Sequence, residues 1–137
     1  MIKLTYSHLA RPDFHKAVNR IYSQPFPGKV ARQIQKIAQD ISESYTEMSQ
    51  QYQDKMVKRF ASKFDKNGQP ICDPETGGFE IREDAVAEFD RAQKKFDATL
   101  IELKHKPIAL QHLLNIELSP KDLMLLEPLY HQLTQVK

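Results

Sequence analysis

The side chains able to do chemistry are few, and their spacing decides what they could do. There are five histidines, His8, His15, His105, His112 and His131. A helical zinc site needs histidines at i, i+4, or cysteines bracketing them, because those spacings bring two donors onto one metal. Neither spacing occurs, since His8–His15 and His105–His112 are each seven residues apart. The single cysteine, Cys72, has no histidine near it in sequence and reads as a small core filler. One cysteine also excludes an intrachain disulfide and fits a reducing cytosol. Asp65-Lys66-Asn67-Gly68 has the look of the middle of a calcium loop. Aligning Gly68 with that loop's glycine, however, puts Lys63 at the first ligand position and Pro74 at the bidentate glutamate position. Neither can ligate calcium, so the segment is a turn. Four glycines in all leave no phosphate-cradling loop. The expectation is no catalytic residue, no metal and no cofactor.

Binding is the alternative to chemistry, and two features bear on it. The formal charge is only +2, but it is unevenly placed. Residues 1–36 carry seven cations against Asp13 alone, and residues 73–90 carry seven carboxylates against Arg82 alone. Glu83 and Asp84 precede a helix, where the dipole favours acids, so a solvated face suits them better than acid/base work. Lys29, Arg32 and Lys36 fall at i, i+3 and i+4 spacings, which makes one basic stripe and a nucleic-acid candidate. Against that, the chain is nearly charge-balanced and its aromatics interleave little with the cations, so a solvated face weighs more. The second feature is the leucine-rich chain after Pro107. Leu123, Leu126, Leu129 and Tyr130 share a helical stripe, with Leu133 continuing it, while Met124 and Leu125 point elsewhere. Either that stripe is core, or part of it is an exposed patch that meets a protein partner or a second copy of the chain. Both readings stay open at this point.

The elements that must position these residues are mostly helices. Lys29 to Phe64 contains no Gly and no Pro, with apolar residues at steps of three and four from Val30 to Phe64. Such a helix is roughly 50 Å long. Ile2–Tyr6 alternates like a short edge strand and could pair through Leu4 with Ile116-Glu117-Leu118. Ser7 looks like the cap of a brief turn, and Pro12-Asp13 start a helix whose apolar side is Phe14, Val18 and Ile21, with Tyr22 a further candidate. Gln24-Pro25-Phe26-Pro27-Gly28 cannot be helical and makes a tight corner, with Phe26 expected to be buried in it. Gln69–Ile81 reads as a β-hairpin around Asp73–Gly78. A second long helix is expected from about Glu83 to His105, with Gln93 interrupting its apolar seam. Ser119-Pro120-Lys121-Asp122 is a helix start, and Pro128 breaks or restarts that helix.

The fold class expected is mainly α with a small β element (α+β), as one domain. It divides into 1–28 (strand and helix), 29–64 (long helix), 65–81 (turn and β-hairpin), 82–106 (second long helix) and 107–137 (leucine-rich segment). The two long helices form an antiparallel hairpin, with Phe64 opposite Val86. The β-hairpin sits at its tip, over a cap of Phe60, Phe64, Phe79, Val86 and Phe89. Both termini pack at its base. No apolar run approaches the ~20 residues of a membrane span, and no signal-peptide core opens the chain.

A wider pattern emerges from these punctuation marks. Lys3-Leu4-Thr5 with Leu9, Phe14 with Ala17, the Pro25–Pro27 corner, Lys63-Phe64 before Asn67-Gly68, and Leu118-Ser119-Pro120 with Asp122-Leu123 lie along nearly the whole chain. In these the chain resembles small, mostly uncharacterised helical proteins of tailed bacteriophages. The resemblance implies a viral protein in the host cell cytoplasm, a non-enzymatic accessory or assembly role, and a protein partner of phage or host origin. It also implies an alternative, recognition by a bacterial toxin–antitoxin immune sensor.

Overall fold

The computed structural model describes residues 2–75, 78–114 and 116–134, with side chains through residue 130. The chain is mainly helical, with one two-stranded antiparallel sheet. It divides into two compact units, Met1–Tyr45 with Thr99–Lys137, and Thr46–Ala98.

In the first unit, β1 (Ile2–Thr5) pairs with β2 (Leu100–Leu103) in the register Ile2↔Leu103, Lys3↔Glu102, Leu4↔Ile101, Thr5↔Leu100. Alternation sends Ile2, Leu4 and Leu103 into the core, while Lys3 and Glu102 form an exposed cross-strand ion pair at 3.7 Å. This overturns two expectations. The second helix does not reach His105, because Leu100–Leu103 is a strand, and the partner of Leu4 is Ile101 rather than the 116–118 segment. The physical reason is the unpaired backbone of Ile2–Thr5, which offers Leu100–Leu103 a ladder that a solvent-facing helix end does not.

Thr5, not Ser7, caps α1 (Tyr6–Leu9), its hydroxyl accepting the His8 N–H at 3.3 Å. In α2 (Pro12–Tyr22), Phe14, Ala17, Val18 and Ile21 are buried on one face. The first part of α3 (Gly28–Tyr52) buries Ile34, Ile37 and Ile41, and Phe26 before it is half-buried. The leucine-rich chain breaks into α6 (Leu110–Leu113), α7 (Pro120–Leu125) and α8 (Glu127–Thr134). The Ser119 side chain caps α7 by accepting the Asp122 N–H at 3.1 Å, and Pro128 sits at the restart in α8. The Ile108 N–H donates to the Leu129 carbonyl at 2.8 Å, which ties the entry of this segment to its end.

In the second unit the long helix leaves α geometry earlier than expected. Gln53–Val57 form a π turn, α4 (Lys58–Phe60) adds three residues, and at Ala61 the backbone becomes extended. The widened turn brings the neighbours Met56 and Val57 both into the interior. The helix stops because the returning chain claims the next backbone groups. Ala61 bridges Ile81, Phe64 bridges Pro70, and the Ser62 N–H donates to the Glu80 carbonyl at 2.8 Å. Cys72 bridges Phe79, so the chain expected as a β-hairpin is held by isolated bridges rather than continuous strands.

A 3₁₀ turn (Glu83–Ala85) then leads into α5 (Val86–Asp97). Phe60 meets Phe89 edge-on at 5.4 Å, Phe89 meets Phe79 at 5.8 Å, and Tyr52 meets Phe96 at 5.2 Å. Residue numbers therefore run in opposite directions along the facing segments. Two expected cap members lie outside this cluster, since Phe64 is 47% exposed and Val86 48%. Phe64 has left the helix that would have turned it inward. Gln93 interrupts an apolar seam because it has a partner there. It accepts the Tyr52 hydroxyl at 2.5 Å and donates to Asp97 at 2.9 Å.

Candidate functional site

The histidines act mainly as ties between segments. The His8 Nε2 lies 2.6 Å from the Leu125 carbonyl, and the His15 Nε2 lies 2.6 Å from the Leu9 carbonyl. A ring N–H donating to a carbonyl needs no metal and no charge on the ring. Phe14 packs against both imidazoles, and His15 also stacks near Tyr45 at 4.7 Å. His105 pairs through Nε2 with Asp40 of α3. His112 is half-buried, and the side chain of His131 lies outside the described residues. Among the described residues, no group of three or more His, Cys, Asp or Glu is placed to hold a metal.

The Asp65–Gly68 segment is a turn in detail. The Asp65 carboxylate accepts the N–H groups of Asn67 and Gln69 at 2.9 and 3.0 Å, and Gly68 takes φ +77°, which an L side chain rarely adopts. Asp122 is the one buried charged residue among those described. It pairs with Arg20 of α2 at the start of α7. Beside it, Asp13 accepts two hydrogen bonds from Arg11 and lies 3.5 Å from Lys121. The Arg11 hydrogen bonds, with Lys121 adding to them, hold the Asp13 carboxyl below the usual carboxylate range. These charges face a cleft of about 280 Å³ but largely satisfy one another.

The leucine stripe is resolved by burial. Leu126 and Leu129 are fully buried, and Leu123 is half-buried. Tyr130 is also half-buried, and its hydroxyl donates to the Leu123 carbonyl at 2.7 Å. Burial, with Glu127 contributing, raises the Tyr130 hydroxyl's pKa. Leu126 and Leu129 are therefore core residues, not free partner-binding positions. They turn inward because α7 packs against α2, while α8 packs against β1 and α6. Among the described side chains of this segment, which do not include that of Leu133, the exposed large apolar ones are Leu114 (63%) and Met124 (66%). Departure from the Leu123–Leu126–Leu129 stripe did not signal this, because Leu125 departs from it too and is buried.

The basic stripe gains neighbours. Lys29, Arg32 and Lys36 are exposed on α3, and among the described residues none makes an ion pair. The chain leaving β2 is held along the same helix. The Gln33 side chain donates to the Lys106 and Pro107 carbonyls at 3.0 and 3.3 Å, and His105 reaches Asp40. Lys104 and Lys106, on either side of His105, are exposed. Sequence reasoning missed them by assigning them to the end of a helix, although Lys104-His105-Lys106-Pro107 is itself a basic, helix-ending run. Comparison with protein-family models, with curated proteins and with solved structures finds no match for this chain.

Proposed function

We propose that this chain is a non-enzymatic accessory protein that acts by binding another protein, in the setting its resemblance implies, the cytoplasm of a phage-infected bacterium. The observation that carries this reading is the exposure of Leu114 and Met124 within a segment whose other leucines, isoleucines and Tyr130, among the described side chains, are buried or half-buried. A buried leucine is explained by the fold, whereas two large apolar side chains about two-thirds exposed stay unpaired until something covers them. The scaffold in this reading is an antiparallel helical hairpin with a β-hairpin tip, supported by the Tyr52–Phe96 and Phe60–Phe89 contacts.

Capture of binding partners from infected cells tests it. A discrete partner should be recovered with the natural chain and lost with the Leu114→Asp, Met124→Asp double variant, whose melting curve should match that of the natural chain. Light scattering on both proteins shows whether the partner is a second copy. A natural chain that is monomeric and captures nothing the variant loses would refute the reading.

A further inference from the structure

We propose that Lys29, Arg32 and Lys36 of α3, together with Lys104 and Lys106, form a face that binds the phosphate backbone of a nucleic acid. This face does not include Leu114 or Met124, so it stands or falls independently of the protein-partner reading.

The tertiary structure builds the face from two distant stretches of chain. The segment after β2 is fastened to α3 at two points, Gln33 and Asp40, which lie two helical turns apart. Lys36 falls between those anchors, and Lys29 lies one turn before the first. His105 faces the helix, and the lysines flanking it are exposed to solvent. Five cations are thereby collected in one region of the first unit.

The neighbouring carboxylates keep their charge, but each has a partner other than these five cations. Asp40 is engaged with His105, Glu43 accepts a hydrogen bond from Gln39 at 3.2 Å, and Glu102 is paired with Lys3. Of the other cations of the same unit, Lys16 makes no ion pair among the described residues, while Lys3, Arg11, Arg20 and Lys121 each have a carboxylate partner. The five do not, among the described residues. The charge also opposes local helix stability, because the first turn of α3 contains no acid and holds Lys29. The positive end of the helix dipole disfavours a cation there and adds to the attraction for an anion.

The geometry suits a linear polyanion better than a small one. A compact anion needs donors that converge on one point, whereas these side chains are spread over about 10 Å of helix and the adjoining linker. Regularly spaced phosphates match such a row. No exposed aromatic belongs to the set, so base stacking contributes nothing and binding rests on the backbone charge, without sequence preference.

The test is fluorescence anisotropy of the full chain with labelled duplex and single-stranded oligonucleotides across a salt series. If all five cations meet phosphates, log K falls with log salt at a slope of about −4.5 for duplex and about −3.5 for a single strand. Duplex affinity then drops about 500-fold between about 50 and 200 mM salt. Lys104→Gln with Lys106→Gln should flatten the duplex slope by about 1.8, leaving a drop of about 40-fold. Lys36→Gln alone should flatten it by about 0.9, and Lys94→Gln in the other unit should change nothing. All these positions are exposed, and matching thermal melts show that the variants remain folded. The proposal is overturned by absence of saturable binding at the lowest salt, by unchanged slopes in the Lys104, Lys106 variant, or by tighter binding to phosphatidylserine vesicles than to either oligonucleotide.

Discussion

Replacing Phe60 by alanine should be among the most damaging single changes in the second unit. Its ring is fully buried, meets Phe89 edge-on at 5.4 Å, and lies 4.9 Å from the Arg59 guanidinium. Among the described residues of 46–98, the other buried apolar side chains are Met48, Met56, Val57, Ala61, Ala85 and Phe96. Phe60 therefore supplies one of only two buried aromatic rings there. Truncating a fully buried phenylalanine costs about 3–5 kcal/mol, the sum of lost transfer energy and the cavity left behind. The lost edge-to-face pair accounts for about 0.5–1.5 kcal/mol within that range. Phe64, four residues on but 47% exposed, leaves no enclosed cavity and should cost only about 1 kcal/mol, half the transfer energy of a completely buried ring.

Urea denaturation followed by circular dichroism measures both differences, and hydrogen exchange of amides in 46–98 locates them. For a chain of this size, the Phe60→Ala melting point should fall by about 10 °C or more. Should Phe60→Ala stay within about 1 kcal/mol of the natural chain, or should Phe64→Ala prove equally costly, the packing described for Phe60, Phe79 and Phe89 is wrong.

Further outcomes follow from the same contacts. Leu126→Asp should unfold the first unit or destabilise it by more than about 4 kcal/mol, by burying an unpaired charge, while Met124→Asp should stay within about 0.5 kcal/mol. Paired thermal melts compare them. Ser119→Ala removes the cap that accepts the Asp122 N–H and should cost about 1 kcal/mol in chemical denaturation. Burial, with Asp97 adding to it, raises the Tyr52 hydroxyl's pKa above its ordinary value. Its contribution to stability is therefore complete below about pH 10 and is lost as pH rises through the folded-state pKa. An ultraviolet phenolate titration should show two late-ionising tyrosines, Tyr52 and Tyr130, of which one disappears in Tyr52→Phe. A titration identical in the two proteins would contradict the Tyr52–Gln93 arrangement.

Signals that act within a few residues were legible in the sequence. The helix over Pro12–Tyr22 follows from proline at its first position and an apolar stripe at Phe14, Val18 and Ile21. The start of α7 follows from Ser119, Pro120 and Asp122, and Gly68 marks a turn that needs positive φ. Each is set by sterics or by a hydrogen bond between near neighbours, so no distant partner is needed to decide it. The apolar period of the long helix was equally plain as far as Tyr52.

Tertiary structure decided the rest, wherever one pattern fits two environments. Phe96, Leu100 and Leu103 satisfy a helical stripe, yet Leu100–Leu103 is a strand because Ile2–Thr5 pairs with it across about a hundred residues of chain. Phe64 continues the period of the long helix, but bridges from Ile81 and Pro70 end that helix first and leave the ring exposed. Leu126 and Met124 belong to the same leucine-rich run, and only the packing of α7 and α8 makes one core and the other surface. Lys104 and Lys106 join Lys29, Arg32 and Lys36 solely because Gln33 and Asp40 hold the linker against α3. Hydrophobicity and charge are properties of a residue, while burial and juxtaposition are properties of its neighbours, and those neighbours arrive from elsewhere in the chain.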